Sequence, residues 1–205
     1  MTGAAQGQPV LKPGVTLYFV RHGETDWNKT SRYQGQADIP LNDMGRAQAR
    51  RNGEILRPLL PQLAGFDFVS SPLGRAVETA RIVRAALGLE PDTFRREPQL
   101  MEVHYGDWEG HLASDLQVTD PDGVAAKAVD PFGWRPRGGE SYADLSIRVA
   151  AWLKTVERDS VAISHGGVSR VARGVVLGID TLEVPYLDVP QDKVLILRDG
   201  AMAWL

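Results

Sequence analysis

The sequence predicts an α/β domain whose mostly parallel sheet is covered by helices on both faces and ends in an antiparallel edge. Three observations support this fold class. Short apolar segments alternate along the chain with longer segments of helical periodicity. These short segments are apolar at nearly every position, as in strands that are buried on both faces. Near the C-terminus, Asp199-Gly200 lies between two apolar runs, a pattern typical of a type I′ hairpin between antiparallel strands.

Residues with strong capping or terminating preferences delimit the elements in the first half of the chain. Asn42 or Asp43 is suited to the N-cap of a helix that Pro58 ends. Gly88 is suited to the left-handed conformation that follows a helix. Apolar runs rich in β-branched and aromatic residues indicate strands. The predicted strands are residues 15–19, 66–70 and 93–96, and the predicted helices are residues 43–57 and 73–87.

The second half of the chain shows clear elements except in residues 111–137. Two four-residue sequences of turn character, which begin at Asp120 and Asp130, bound a short predicted helix in this segment. Ser141 and Asp144 resemble a capping box, and apolar residues recur at helical spacing after them. The predicted elements are a helix over residues 141–158, a strand over 161–164, a helix over 168–177 and hairpin strands over 193–198 and 201–205.

Length and composition restrict the class of protein. The 205 residues fit one α/β domain, which we place at residues 14–205 after a flexible tail over residues 1–13. A formal net charge of −3 gives no electrostatic reason to expect nucleic acid or an anionic membrane as a partner. The absence of cysteine excludes a disulfide scaffold and thiolate metal sites, and it fits the cytoplasm, where we expect the protein. We find no signal-peptide pattern and no apolar run long enough to span a bilayer, and nothing in the sequence specifies an oligomeric state.

Three of the predicted parallel strands are each followed by a side chain that suits an anion. Arg21 and His22 follow the first strand, Arg75 follows the second, and His165 follows the strand that ends at residue 164. Because ligands bind at the carboxyl ends of strands in open α/β sheets, we expect these four side chains to lie close together.

Such a group of side chains has the properties needed for phosphoryl transfer. Guanidinium groups match the oxygens of a phosphate. One imidazole can attack phosphorus and form a phosphohistidine, while a second stabilises charge on the phosphoryl oxygens. This chemistry requires no metal ion or other cofactor. It does require an acid that protonates the departing alkoxide, and Glu102 is our candidate, although spacing alone does not favour it over Glu24, Asp107 or Glu109.

Several motifs follow one another in order between residue 15 and about residue 178. They are Arg21-His22-Gly23-Glu24-Thr25 with Asn28, residues 70–80, residues 102–110, residues 138–141, and Ser164-His165-Gly166-Gly167. Together they resemble the histidine phosphatase superfamily, the phosphoglycerate-mutase-like group. The resemblance covers most of the chain and implies a three-layer αβα sandwich, in agreement with the predicted elements.

The resemblance also implies a role for each matching residue. His22 matches the family nucleophile, and Glu102 matches the proton donor. The expected phosphate pocket comprises Arg21, Arg75 and His165, with further phosphate or substrate contacts from Asn28 and the backbone at Gly166, and with Gln34 and Gly35 in the loop beside the entrance.

The family contains mutases as well as phosphatases, and the segment His104-Tyr105-Gly106 is similar to a segment of the mutases. Cofactor-dependent mutases, however, carry a longer insertion with a lysine and an adjacent arginine pair that bind the distal groups of the substrate. Here the insertion is short, Lys127 is its only lysine, and Arg135 and Arg137 are not adjacent. We therefore expect a phosphomonoesterase acting on small phosphorylated metabolites, with phosphoglycerate mutase as the alternative.

Other possibilities stay open at this stage. A metal-dependent hydrolase could use the four histidines, and a catalytically silent module could bind a phosphorylated ligand. Within the phosphatases, broad-specificity enzymes, α-ribazole phosphatase and sugar bisphosphatases are all candidates. Among the remaining cations, Arg32 could contact a distal charge of the substrate, whereas Arg170 and Arg173 are interpreted as structural or surface residues.

Overall fold

A computed structural model of the protein describes residues 10–59 and 65–205 and contains a six-stranded sheet of order β3-β2-β4-β1-β5-β6. The first four strands along the chain pair in parallel, whereas β5 pairs antiparallel with β1 and with β6. The predicted mostly parallel sheet with an antiparallel edge is thus confirmed. The strands are β1 (Leu17–Arg21), β2 (Asp67–Ser70), β3 (Arg95–Arg96), β4 (Ser160–Ser164), β5 (Val194–Arg198) and β6 (Ala201–Trp204).

Helices cover both faces of the sheet and complete the predicted three layers. Alternate residues of β1 point to opposite faces, so that Leu17 and Phe19 enter one buried cluster and Val20 enters the other. The helices are α1 (Asp26–Lys29), α2 (Asp43–Leu56), α3 (Gly74–Ala86), α4 (Ala113–Thr119), α5 (Pro121–Val129), α6 (Tyr142–Leu153) and α7 (Gly166–Leu177). Helices α2 and α3 pack together, as do α6 and α7.

The hairpin between β5 and β6 has the predicted turn. Asp199 and Gly200 both have positive φ angles, of 48° and 73°, as a type I′ turn requires. The Asp199 carboxylate also accepts a hydrogen bond from the Gly14 N–H at 2.7 Å, which joins the segment before β1 to this hairpin.

The predicted N-terminal tail lies mostly outside the described residues, which begin at residue 10. Within residues 10–13, Leu11 is only 5% exposed and belongs to the same buried cluster as Leu17. The prediction of a flexible tail therefore does not hold for Leu11, because its apolar side chain is buried in the core.

The segment 111–137 contains the predicted short helix as α5, but this helix begins within the sequence that was expected to form the first turn. Asp120-Pro121-Asp122-Gly123 was expected as a turn between elements, but it forms the N-terminus of α5. Asp120 caps this helix by accepting from the Gly123 N–H at 3.0 Å, and Pro121 occupies the first turn, where its missing N–H costs nothing. The preceding helix α4 was not predicted.

Helix α6 is shorter than its apolar periodicity suggested. It ends at Leu153, although Val156 continues the helical spacing and is buried. Val156 instead reaches the core from the turn after the helix, where the Thr155 hydroxyl donates to the Trp152 carbonyl. Within the ranges that the structure describes, no helix has the length and apolar content needed to cross a bilayer.

Candidate active site

The candidate site lies at the carboxyl ends of three neighbouring parallel strands. In the sheet, Arg21 at the end of β1 is opposite Ser164 of β4, and Ser70 of β2 is opposite Ile163. The residues that follow these strands are therefore brought to one edge, as the sequence predicted. The rings of His22 and His165 lie with their centroids 5.1 Å apart.

Two contacts determine the chemical state of His22, which is 2% exposed. Its Nδ1 lies 2.8 Å from the Gly23 carbonyl oxygen, which can only accept, so Nδ1 must carry the proton. Its Nε2 lies 3.3 Å from Nε of Arg75, which can only donate, so Nε2 must present its lone pair. Burial, Arg75 and Arg21 lower the pKa of His22 well below its usual value, which keeps the ring neutral at neutral pH.

Arg75 is a buried cation that joins the site to the entrance loop. Its Nη1 and Nη2 donate to the carbonyls of Ala37 and Gly35 at 2.7 and 2.6 Å. With the Gln34 amide oriented so that its oxygen faces Arg75, that oxygen accepts from Nη1 at 3.1 Å. Burial lowers the pKa of Arg75 to about 10, so it stays charged at neutral pH.

His165 is completely buried and has one free ring nitrogen. Its Nε2 lies 2.7 Å from the Ser71 hydroxyl, while Nδ1 is buried without a hydrogen-bond partner among the described residues. Burial and the nearby Arg75 lower the pKa of His165 well below its usual value. A buried polar atom without a partner is costly, and a ligand atom could satisfy it.

Arg21 and Asn28 lie before and after His22 in the chain, and each forms a hydrogen bond with a residue of segment 189–191. Arg21 donates from Nη1 to the Val189 carbonyl at 2.6 Å, while its Nε is buried without a partner in the described part of the chain. Asn28 ends the capping box of α1, and its Oδ1 accepts from Gln191 at 3.1 Å. Gln191 also donates to the His22 carbonyl at 3.1 Å, so it links the Asn28 side chain to the backbone of His22.

The structure distinguishes Glu102 from the other candidate acids. Both oxygens of its carboxylate accept from the Gly167 N–H in the first turn of α7, at 3.0 and 3.1 Å. Glu24 instead bonds Asn42, Asp107 is exposed beside Arg137, and the Glu109 carboxylate accepts backbone N–H groups of the 36–37 loop. Of these four acids, Glu102 alone lines the cleft described next.

A cleft of about 400 Å³ opens over these residues. Six of the nine predicted site residues line it, and the buried His22, Arg75 and His165 contact or adjoin lining residues. The lining also includes residues without a predicted role: Ser31, Tyr33, Tyr105, Ala113 and Gln191, together with Arg32 and Arg170. The predicted residues in the lining are Arg21, Asn28, Gln34, Gly35, Glu102 and Gly166.

Arg170 was interpreted from the sequence as a structural or surface cation; it does bond the Leu187 carbonyl and the Tyr142 hydroxyl, but it also lines the cleft. The residue is four positions after Gly166, which places it on the same face of α7 as the first turn that lines the cleft. The helical spacing from Gly166 could have indicated its position. Gln191 could not have been found in this way, because nothing in its local sequence marks it. Ser71 lies in the motif of residues 70–80, but no role was predicted for it.

In the segment His104-Tyr105-Gly106, His104 and Gly106 have a local structural role, whereas Tyr105 lines the cleft. His104 Nδ1 accepts from the Gly106 N–H at 2.9 Å. Gly106 has a positive φ of 52°, and a Cβ at this position would collide with the Arg137 carbonyl oxygen, so the position requires glycine. His104 is also 3.7 Å from Glu109. The described residues contain no group of three or more His, Asp or Glu side chains placed to share a metal ion.

Comparisons with known proteins agree with this fold. The family model of the histidine phosphatase superfamily (branch 1) matches residues 17–204. The chain therefore belongs to the histidine phosphatase superfamily.

Individual relatives include both phosphatases and mutases by name. Glucosyl-3-phosphoglycerate phosphatase of Mycolicibacterium vanbaalenii is 34% identical over 183 residues, which cover 83% of this chain and 78% of that protein. A probable phosphoglycerate mutase of Enterobacter sp. is 34% identical and is matched over 92% of this chain and 83% of its own length. The structure of a mycobacterial glucosyl-3-phosphoglycerate phosphatase in complex with VO3 has a TM-score of 0.77 at 31% identity and covers 94% of this chain and 96% of that one.

Proposed function

We propose that this protein is a phosphomonoesterase that transfers the phosphoryl group of a small phosphorylated metabolite to His22 and then to water. The observation that carries the proposal is the state of His22. Its Nδ1 is fixed as a donor to the Gly23 carbonyl, and its neutral ring leaves Nε2 as the nucleophilic atom beside Arg75.

In the first step, Nε2 of His22 attacks phosphorus and the bond between phosphorus and the ester oxygen breaks. The electron pair of that bond goes to the leaving oxygen, which Glu102 protonates. Arg21 and Arg75 stabilise the phosphoryl oxygens, and Nδ1 of His165 is available as a further donor.

In the second step, water attacks the phosphohistidine and restores His22. Glu102, now ionised, accepts a proton from this water, which returns the acid to its starting state. Gly35 and Gly166 line the cleft beside His22, and we expect water to reach the phosphohistidine through it.

The cations of the insertion support a phosphatase over a mutase. Lys127 donates to the Tyr33 hydroxyl at 2.8 Å, Arg135 pairs with Asp144, and Arg137 is an exposed residue beside Asp107. None of the three lines the cleft, so they are not placed to hold the distal groups of a phosphoglycerate during transfer. The relative named as a probable mutase keeps phosphoglycerate mutase as the second candidate.

The test is phosphate release from a panel of esters in the presence of EDTA. The panel contains 3-phosphoglycerate with and without 2,3-bisphosphoglycerate, phosphoserine, glucosyl-3-phosphoglycerate, α-ribazole 5′-phosphate and a sugar bisphosphate. We expect release from at least one ester, and inhibition by vanadate. Interconversion of 3- and 2-phosphoglycerate with little release would establish the mutase, and loss of all activity in EDTA would favour a metal-dependent hydrolase. Binding without turnover would indicate a silent module.

A further inference from the structure

The two ring nitrogens of His165 have different surroundings. Nε2 lies 2.7 Å from the Ser71 hydroxyl oxygen, whereas Nδ1 is buried without a partner among the described residues. The ring also lies against that of His22, with the centroids 5.1 Å apart. In the proposed reaction Nδ1 donates to the phosphoryl group, so this nitrogen has to carry a proton. Where a histidine ring carries its proton depends on the hydrogen bond of its other nitrogen, which here contacts Ser71.

The His165 ring has a single proton at neutral pH. Burial lowers its pKa well below the usual value, and Arg75 and other nearby positive groups lower it further. A neutral imidazole carries its proton either on Nδ1 or on Nε2. The charged and titratable groups near the ring are Arg75 from α3, Arg148 from α6, Arg21 and His22 at the end of β1, and Glu102, which accepts from the Gly167 N–H of α7.

Ser71 has one acceptor for its hydroxyl hydrogen. The side chain is completely buried, and the Leu73 N–H, which can only donate, lies 3.4 Å from its oxygen. Within the described part of the chain, Nε2 of His165 is the only other hydrogen-bond partner of this oxygen. If Nε2 carried the proton, both partners would donate to Ser71, and the hydroxyl hydrogen would be buried without an acceptor, which is unfavourable. The hydroxyl therefore donates to Nε2, and the ring proton lies on Nδ1.

We propose that Ser71 is a positioning residue that holds His165 as the Nδ1–H tautomer, so that a neutral histidine presents a hydrogen-bond donor to the phosphoryl oxygens. The Leu73 N–H, the Ser71 hydroxyl and the His165 ring then form one chain of hydrogen bonds that runs toward the substrate. A donor fixed in this way stabilises the charge that develops on the phosphoryl oxygens without reorganisation of the ring.

The two histidines then hold the same tautomer for opposite purposes. His22 presents the lone pair of Nε2 to phosphorus, and His165 presents the proton of Nδ1 to the phosphoryl oxygens. Neither role requires an imidazolium, which suits two rings that are both buried beside arginines. The inference rests on the proposed phosphatase function, but the tautomer of His165 is measurable without turnover.

The first test is nitrogen NMR of the ligand-free protein with isotope-labelled histidine at neutral pH. Chemical shifts distinguish a protonated ring nitrogen from an unprotonated one, and the His165 signals are identified by their absence in His165→Gln. We expect the proton of the wild-type ring on Nδ1. In Ser71→Ala the Nε2–H tautomer should become populated, because nothing then donates to Nε2. Ser71→Thr keeps a hydroxyl and should keep the Nδ1–H tautomer.

The second test measures binding and transfer of the phosphoryl group. Ser71→Ala should weaken the binding of inorganic phosphate, followed by the same NMR signals, and lower kcat/KM by about tenfold, as expected for a lost hydrogen bond. The loss should be equal for glycerol 3-phosphate and p-nitrophenyl phosphate, because Nδ1–H acts on the phosphoryl oxygens that both esters share. Ser71→Thr should restore most of the activity.

Ser169→Ala is the matched control. It is the same substitution at an equally buried serine of α7, whose Oγ has no hydrogen-bond partner among the residues described. It should change neither the tautomer nor the affinity for phosphate. A wild-type ring with its proton on Nε2, or with both nitrogens protonated, would overturn the proposal, as would an unchanged tautomer in Ser71→Ala.

The wild-type spectrum decides the tautomer even if Ser71→Ala does not fold. If no ester is hydrolysed, the phosphatase function itself fails, which is a separate result, because the tautomer and the binding of inorganic phosphate are measured without turnover.

Discussion

At His22, two neighbours of opposite hydrogen-bonding character determine the chemistry of one ring. The Gly23 carbonyl requires a proton on Nδ1, and the Arg75 Nε–H requires a lone pair on Nε2. Because the ring is also buried and lies beside Arg75 and Arg21, its pKa is lowered well below its usual value and the ring is neutral at neutral pH. The cations that we propose to bind phosphate therefore also help to keep the His22 ring unprotonated.

We expect His22→Asn to abolish turnover while the protein stays folded. Asparagine can still donate to the Gly23 carbonyl in place of Nδ1, but it has no atom equivalent to Nε2. The loss of kcat should exceed about 1,000-fold, as for other nucleophile removals. Phosphate release and trapping of the phosphoenzyme at high pH, where phosphohistidine is stable, measure this loss. Residual activity within tenfold of the wild type would reject His22 as the nucleophile.

The role of Glu102 predicts a dependence on the leaving group. Glu102→Gln removes the transferable proton but keeps an oxygen that can accept from the Gly167 N–H. We expect a loss of about 100-fold or more for alkyl esters such as glycerol 3-phosphate, since general acids contribute at this level. The loss for p-nitrophenyl phosphate should be much smaller, because p-nitrophenolate departs without a proton. Equal losses on both esters would contradict an acid role.

At the scale of elements, α6 supports the loop that carries Glu102. Arg148 of α6 donates from Nη1 to the carbonyls of Gln99 and Met101, and from Nη2 to the Glu102 carbonyl at 3.0 Å. The Glu140 carboxylate pairs with the same guanidinium at 3.0 Å. Helix α6 thus fixes the backbone of the acid, while α7 fixes its carboxylate.

Arg148→Met is expected to act on catalysis through Glu102. The loop would lose three backbone contacts, so kcat/KM for alkyl esters should fall by about tenfold, with a smaller change for p-nitrophenyl phosphate. The free energy of unfolding should fall by about 2–4 kcal/mol, since hydrogen bonds to a charged group are lost. The control is Arg135→Met, which removes an exposed ion pair and should change neither quantity appreciably. The same proportional loss on both esters would indicate general destabilisation instead.

At the scale of the whole molecule, the two buried histidines connect stability to pH. Their folded-state pKa values lie well below 6.5, mainly because burial disfavours the charged ring. The unfolded chain therefore binds protons below about pH 6.5 that the folded protein does not bind. The free energy of unfolding should fall as the pH decreases from about 6.5, with each histidine contributing up to about 1.4 kcal/mol per pH unit.

Urea unfolding between pH 5 and 8 measures this dependence. His22→Asn should make the slope below pH 6.5 shallower. His111→Asn should not, because His111 is exposed. Inorganic phosphate should oppose the destabilisation, because the proposed phosphate site is assembled only in the folded state. A slope in His22→Asn equal to that of the wild type would contradict the assignment.

The sequence was informative where local chemistry determines structure. The apolar runs predicted the sheet and its antiparallel edge, and the residues after three strands predicted the histidine and arginine group. It was less informative where a contact is distant, as for Arg148 and Gln191, whose partners lie far away in the chain. The helix start at Asp120 was misread because Asp-Pro sequences serve both turns and helix N-termini. Leu11 was assigned to the tail because one apolar residue carries no periodicity.

The pairing of β1 has a consequence for the synthesis of the protein. This strand is made early, yet its two neighbours in the sheet are β4 and β5, which are among the last elements to leave the ribosome. At about 5–20 residues per second, roughly 10 to 35 seconds separate the translation of β1 from that of β5. During this time the nascent chain carries an apolar strand with both edges unpaired, so we expect it to need protection by chaperones, and we expect prematurely terminated chains to be inactive.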